Sequence, residues 1–70
     1  MTTSYTPAAV LRAHTTAAFD AIIERMEQEC GEAGDLAGVA TCRRALAGSS
    51  RARRTVAGWV ACAADRRDNG

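Results

Sequence analysis

The charged side chains are the residues of this chain with the clearest chemistry, and the two signs occupy different stretches. The acids between residues 20 and 35 are Asp20, Glu24, Glu27, Glu29, Glu32 and Asp35, with Arg25 as the one base among them. The arginines that follow without an intervening acid are Arg43, Arg44, Arg51, Arg53 and Arg54. The formal net charge of +1 therefore conceals an acidic and a basic region, a pattern that favours recognition over catalysis.

The basic residues are expected on both sides of one turn between two helices. Arg43 and Arg44 would end a helix, where the helix dipole favours positive charge. Arg51, Arg53 and Arg54 would begin the next helix, where the dipole opposes positive charge, so an anion is expected to satisfy them. That anion is either a phosphate or the acidic region of this protein, in the same chain or in a second copy.

The three cysteines, Cys30, Cys42 and Cys62, are too widely spaced to indicate a metal site or a disulfide framework. We expect reduced thiols that behave as small apolar side chains. In an up-down-up bundle Cys30 and Cys62 would fall at the same end. A redox pair between these two is therefore the alternative.

No arrangement suited to catalysis is recognisable. His14 is the one histidine, and no nucleophile lies near it on the flank of the first predicted helix. Asp20, Glu24 and Glu27 share a helical face, but like charges at this spacing repel one another and indicate a solvated surface rather than a metal site. The sequence therefore predicts no enzymatic activity, no metal and no cofactor.

Hydrophobic periodicity predicts a single all-α domain with helices at about residues 7–29, 36–47 and 50–66. The ends, residues 1–4 and 67–70, are expected to be loose. Short connections make neighbouring helices antiparallel or steeply crossed, which favours a small up-down-up three-helix bundle.

The residues that should begin and end these helices are also recognisable. Thr6 is the expected first N-cap, followed by Pro7 at the first helical position, and Tyr5 is placed to pack on Val10. The caps expected for the later helices are Asp35 and either Ser49 or Ser50. Left-handed turns are expected at Gly31 or Gly34 and at Gly48.

The predicted core is thin, because a chain of 70 residues buries only about 60% of the surface that it exposes when unfolded. The bulky side chains expected to face inward are Leu11, Phe19, Ile22, Met26, Leu36, Val39, Leu46, Val56, Trp59 and Val60. Trp59 is the largest of them, and Cys42 joins their stripe on the second helix. Such a core supports about 3–5 kcal/mol, so a homodimer is a further expectation.

The face of the third helix directed away from this core is expected to carry small residues between charges. Its members are Arg51, Arg54, Ala57, Gly58, Ala61 and Asp65. Small side chains let another surface approach closely, so Gly58 and Ala61 are candidate contact residues. This face and the opposed acidic and basic regions would also support an antiparallel two-fold contact in a homodimer.

No apolar run approaches the ~18 residues that a membrane span requires. The N-terminus also lacks a basic region followed by an apolar one. We therefore expect a cytoplasmic protein that does not contact a membrane.

The segment TCRRALAGSSRARRTVAGWV, residues 41–60, resembles a Cys-x-Arg-Ala-Leu-x-Gly helix hairpin of short uncharacterised proteins from phages and integrative elements. The resemblance implies an accessory protein that binds a host or element-encoded assembly, for instance as an inhibitor of a defence system. It transfers no site residue to this chain.

The sequence favours a non-enzymatic interaction protein that binds a protein or ribonucleoprotein partner. The basic contact residues are Arg43, Arg44, Arg51, Arg53 and Arg54, and the second, acidic contact is formed by Asp20, Glu24 and Glu27.

The alternative is a small DNA-binding regulator with the third helix as the reading helix and Thr55 beside the arginines. Three features oppose it. The Gly48-Ser49-Ser50 turn does not have the usual small-residue pattern of a helix–turn–helix motif. No aromatic residue is interleaved with the arginines for base stacking, and the acidic region would repel a nucleic-acid backbone that approached broadside.

Overall fold

The computed structural model describes the backbone of residues 6–69 and the side chains of residues 6–64 and 66. Within this range the chain is all-α, as predicted, and forms four helices with no strand. They are α1 (Pro7–Ala13), α2 (Thr16–Ala33), α3 (Leu36–Leu46) and α4 (Ser50–Asn69). The prediction of three helices is corrected to four, because the first predicted helix is divided into two.

The division lies at His14, whose backbone is extended (φ −126°, ψ 143°). Thr15 then starts a new helix, since its hydroxyl accepts a hydrogen bond from the Ala18 amide at 3.1 Å. The His14 ring closes the end of α1, where Nδ1 donates to the Val10 carbonyl at 2.8 Å. The helix predicted over residues 7–29 is therefore wrong at this point, although its predicted start at Thr6 and Pro7 is confirmed.

The α2–α3 connection follows from glycine and aspartate chemistry. Gly34 adopts a left-handed conformation (φ 76°), and the Asp35 amide donates to the Cys30 carbonyl at 2.8 Å, which closes the end of α2. The Asp35 carboxylate then accepts from the Gly38 amide at 3.0 Å. The prediction that Asp35 caps α3 is thus confirmed.

The α3–α4 turn has the same construction. Gly48 is left-handed (φ 110°), and the Ser49 amide donates to the Arg44 carbonyl at 3.0 Å. The hydroxyl of Ser49 accepts from the Ala52 amide at 3.2 Å, so Ser49 rather than Ser50 is the cap. Because α4 continues to Asn69, residues 67–69 are helical and not a loose tail; residues 1–4, Tyr5 and Gly70 lie outside the described residues.

The helices pack as α1 on α4, α2 on α3 and α3 on α4. The buried core consists of Val10, Phe19, Ile23, Cys42, Ala45, Ala52, Val56, Ala57 and Ala61. Phe19, Val56 and Cys42 were correctly predicted to lie inside. Alanines supply almost half of these positions, which is consistent with a thin core.

Several core predictions need correction. Leu36, the first residue of α3, is 78% exposed. Ile23 is completely buried, although the periodicity favoured its neighbour Ile22. The other predicted residues are half-buried at the edge of the core: Leu11, Ile22, Met26, Val39, Leu46, Trp59 and Val60. Trp59 is therefore not the centre of the core.

Candidate interaction surface

The five clustered arginines divide into two groups in the folded chain. Arg43 and Arg53 form ion pairs with acids of α2. Arg44, Arg51 and Arg54 are exposed, and within the described side chains they take part in no ion pair. Of the three arginines for which an anion was predicted, Arg53 is paired within the described side chains, and its anion is Asp20 of the same chain. Arg43, which was expected to act as a helix-end residue, is also paired, with Glu27.

Arg53 is the most constrained of these residues. Its Nη1 donates to the Asp20 carboxylate at 2.6 Å and to the Ala45 carbonyl at 3.3 Å. Its guanidinium carbon lies 5.2 Å from the centre of the Phe19 ring, a distance suited to a cation–π contact. With only 19% of its side chain exposed, Arg53 links α2, α3 and α4 and offers little surface to a partner.

Arg43 is held more loosely. Its Nε donates to the Glu27 carboxylate at 3.2 Å, and 73% of the Arg43 side chain remains exposed. Exposed ion pairs of this kind contribute about 0–1 kcal/mol, so Arg43 remains able to exchange Glu27 for an anion of a partner.

The predicted acidic contact is divided in the same way. Asp20 and Glu27 bind Arg53 and Arg43, whereas Glu24 is exposed. Arg25 and Glu29 form a further exposed pair along α2, with Nε and Oε2 at 3.3 Å. Two of the six acids and two of the five clustered arginines are thus paired between helices.

Two surface grooves border the exposed arginines. The first, of about 580 Å³, is lined by Leu11, Ser50, Arg51 and Arg54. The second, of about 350 Å³, lies between α3 and α4 and is lined by Thr41, Arg44, Ser49, Arg51, Ala52 and Thr55. Arg51 lines both grooves, so Arg44, Arg51 and Arg54 form one continuous basic surface around the start of α4, named here the arginine edge.

Three hydroxyl residues line the second groove, Thr41, Ser49 and Thr55. The sequence analysis named Ser49 as a cap and Thr55 as a DNA contact, but it did not identify Thr41. A signal for Thr41 is present, because it precedes Arg44 by three residues and so shares its helical face. In the structure Arg44 Nη2 lies 3.5 Å from the Thr41 hydroxyl. Thr41 itself donates to the Ala37 carbonyl at 3.0 Å.

Gly58 and Ala61 do not form the exterior face that was predicted. Ala57 is completely buried and Ala61 is 4% exposed, and a Cβ atom at Gly58 would lie 3.7 Å from the Pro7 side chain. The break at His14 explains the error, since it frees α1 to pack against α4 on the side that a continuous first helix would have left open.

The remaining candidate residues have structural surroundings. His14 is half-buried, with its ring centre 6.3 Å from that of Phe19. Cys30 neighbours Cys42, which is buried, and Cys62 is exposed. Burial raises the pKa of the Cys42 thiol above its usual value, and the nearby Cys30, Glu27 and Asp35 raise it further.

In the part of the chain that the structure describes, no group of three His, Cys, Asp or Glu side chains could hold a metal ion. Over the same residues, no helix is long and apolar enough to cross a membrane. No protein-family model, no curated protein and no solved structure matches the chain.

Proposed function

We propose that this chain is a non-enzymatic interaction protein whose arginine edge binds an anionic surface of a protein or ribonucleoprotein partner. The observation that carries the proposal is the unequal use of the arginines. Arg53 is bound inside the fold, and Arg43 is paired with Glu27. Arg44, Arg51 and Arg54 remain exposed around two grooves.

The position of the arginine edge is unfavourable for the isolated chain. Arg51 and Arg54 lie in the first turns of α4, where the partial positive charge of the helix end opposes them. They also lie three residues apart, a spacing at which like charges repel. A carboxylate or phosphate of a partner would relieve both effects, and guanidinium groups bind either anion in a bidentate manner.

The resemblance of residues 41–60 to hairpins of phage and integrative-element proteins supports an accessory role. This segment contains the α3–α4 turn and all three residues of the arginine edge. Within the proposal, the chain binds a host or element-encoded assembly and acts, for instance, as an inhibitor of a defence system.

The second candidate function is that of a small DNA-binding regulator. It is favoured by the exposure of Arg51, Arg54 and Thr55 near the N-terminus of a long helix that follows a tight turn, the part of a recognition helix that contacts bases. The exposed Glu24 and Glu29 on α2 would repel a DNA backbone that extended along that helix.

Binding measurements with three probes distinguish these functions: an acidic peptide, a single-stranded RNA and a duplex DNA. We expect the acidic peptide to bind at about 50 mM salt and the variant Arg51→Ala/Arg54→Ala to bind it far more weakly. The control Arg25→Ala/Arg66→Ala removes the same charge from exposed positions outside the arginine edge and should retain binding. If an arginine binds a phosphate of either nucleic acid, its replacement should flatten the salt dependence of binding by about one unit of slope.

The outcomes separate the two proposals. Duplex binding that falls steeply with salt and disappears in the Arg51/Arg54 variant would support the regulator and contradict the protein-binding function. Equal weakening in the two double variants would contradict any specific role for the arginine edge. Failure of all three probes to bind at low salt would contradict both functions.

A further inference from the structure

The three thiols of the chain differ sharply in their surroundings. Cys42 on α3 is completely buried, Cys30 near the end of α2 is half-buried, and Cys62 on α4 is exposed. The first two belong to helices that pack against each other. From the sequence, reduced thiols were expected, with a redox pair of Cys30 and Cys62 as the alternative. In the structure Cys42 is a neighbour of Cys30.

The Cys30 sulfur lies against the backbone of α3. A Cβ atom added at Gly38 would stand only 2.7 Å from Cys30 Sγ, so the absence of a side chain at residue 38 makes room for this sulfur. Cys42 follows Gly38 by four residues, and positions at that spacing lie on one helical face with Cβ atoms about 5–6 Å apart. The Cys30 sulfur therefore lies next to the face from which Cys42 projects.

The electrostatics of Cys42 agree with this placement. The largest cause of its raised pKa is burial, and the charge of Cys30 follows. Glu27 on α2 and Asp35 at the start of α3 raise the pKa further. At neutral pH Cys42 is therefore a protonated thiol, and the more exposed Cys30 is the thiol that reagents reach first.

We propose that Cys30 and Cys42 form a redox pair that closes an intramolecular disulfide between α2 and α3 in the presence of a disulfide oxidant, such as oxidised glutathione. The Cys30 thiolate attacks one oxidant sulfur, which forms a mixed disulfide and releases one glutathione thiolate. The Cys42 thiol then loses its proton and attacks Cys30 Sγ, which releases the second glutathione. Two protein thiols are oxidised and one small disulfide is reduced to two thiols.

The bond would stabilise the α2–α3 hairpin. It would close the segment of residues 30–42 in the unfolded chain and so reduce the conformational freedom gained on unfolding. For a loop and a domain of this size, the expected rise in the midpoint of thermal unfolding is roughly 10 °C or more. Oxidation would thereby make the fold more resistant to thermal unfolding, without involving the arginine edge.

The test uses the full chain with Cys62→Ala, which removes the exposed thiol and disulfide-linked dimers through it. The protein is equilibrated natively with glutathione redox buffers, alkylated and digested with trypsin. Cys30 and Cys42 fall in one tryptic peptide, Met26–Arg43. We expect this peptide to resist alkylation and to be lighter by two hydrogen atoms, and the oxidised protein to unfold at a higher temperature than the reduced protein.

A second variant and a second solvent keep the result interpretable. With Cys42→Ala added, the reaction should stop at a glutathione adduct on Cys30. In urea the same buffers measure the equilibrium constant for forming the disulfide in the unfolded chain. The equilibrium constant in the native protein should be at least about tenfold larger. Two alkylated cysteines, a persistent adduct at Cys30 in the parent variant, or closure no better in native buffer than in urea would each overturn the proposal.

Discussion

The Arg53 guanidinium contacts three chemically different groups: the Asp20 carboxylate, the Ala45 carbonyl and the Phe19 ring. Each contact belongs to a different interaction, namely an ion pair, a hydrogen bond and a cation–π contact. Because only 19% of the Arg53 side chain is exposed, water screens these contacts less than it screens the pair of Arg43 and Glu27. Arg53 is therefore a structural residue within a group of otherwise exposed arginines.

Replacement of Arg53 should consequently lower the free energy of unfolding. We expect Arg53→Ala to cost about 2 kcal/mol, because it removes charge-assisted hydrogen bonds and leaves the Ala45 carbonyl without this donor. The matched control is Arg54→Ala, which removes the neighbouring exposed arginine and should change the stability by less than about 0.5 kcal/mol. Urea unfolding of both variants measures the difference.

A double-mutant cycle assigns the effect to the Asp20 pair. If Arg53→Ala and Asp20→Ala were additive, the 2.6 Å contact would contribute nothing. If Arg53→Ala and Arg54→Ala were equally stable, Arg53 would contribute no more to stability than an exposed arginine.

At the scale of the helices, the α2–α3 hairpin depends on a close approach at Gly38. A Cβ atom there would lie 2.6 Å from Asp35 Oδ2 and 2.7 Å from Cys30 Sγ. Both neighbours would have to shift to accept it. A shift of Asp35 would disturb the cap of α3, because its carboxylate accepts from the Gly38 amide, and Cys30 is half-buried where α2 packs on α3.

We therefore expect Gly38→Ala to destabilise the protein by about 1 kcal/mol, although alanine is the better helix former by a similar amount. Gly31→Ala is the control, because a Cβ at residue 31 would meet only the Val39 side chain at 4.0 Å. That variant should be stabilised by about 0.5–1 kcal/mol. Thermal unfolding of the two variants gives opposite shifts if the close approach is correct, and shifts of the same sign would contradict it.

The helix boundaries show which elements the sequence can predict. Thr6, Pro7 and Asp35 act through atoms within three residues, so their caps are visible in the sequence and are present in the structure. The break at His14 was missed because apolar residues recur at helical spacing through residues 7–29, and Thr15 is acceptable both within a helix and as a cap. The packing of α1 on α4 favours the break, and hydrophobic periodicity along the sequence does not reveal that packing.

The candidate site shows the same division. Clustering of the arginines is a property of the sequence, and the arginine edge lies within that cluster. Which arginines remain exposed depends on partners far along the chain: Asp20 precedes Arg53 by 33 residues, and Glu27 precedes Arg43 by 16. The exposure of Gly58 and Ala61 was wrongly predicted for the same reason, since the helix that covers them was not recognised.

At the scale of the whole molecule, the fold weakens the two arguments for a homodimer, the exposed small-residue face and the opposed charges. Ala57 and Ala61 of the small-residue face are buried, and α1 packs on α4 beside Gly58, where an added Cβ would lie 3.7 Å from the Pro7 side chain. This face is therefore closed to a second copy. Two of the acid–base pairs that a symmetric dimer would have formed are already made within one chain, by Arg43 with Glu27 and by Arg53 with Asp20. The arginine edge that remains would repel its own copy.

We therefore expect a monomer at micromolar concentrations, both at low salt and at high salt. Charges on the surface are screened beyond about 8 Å at physiological ionic strength, so lowering the salt should strengthen repulsion between arginine edges and oppose self-association. Sedimentation equilibrium at two salt concentrations measures this directly, and Arg51→Glu/Arg54→Glu is the informative variant. This variant carries negative charge at the arginine edge, so it should attract the arginine edge of the parent protein. If an equimolar mixture of the two proteins forms a dimer, and neither protein does so alone, repulsion between arginine edges maintains the monomer. A dimer of the parent chain that dissociates as salt is raised would contradict the prediction. Such a dimer would require attraction between exposed acidic and basic side chains of two copies.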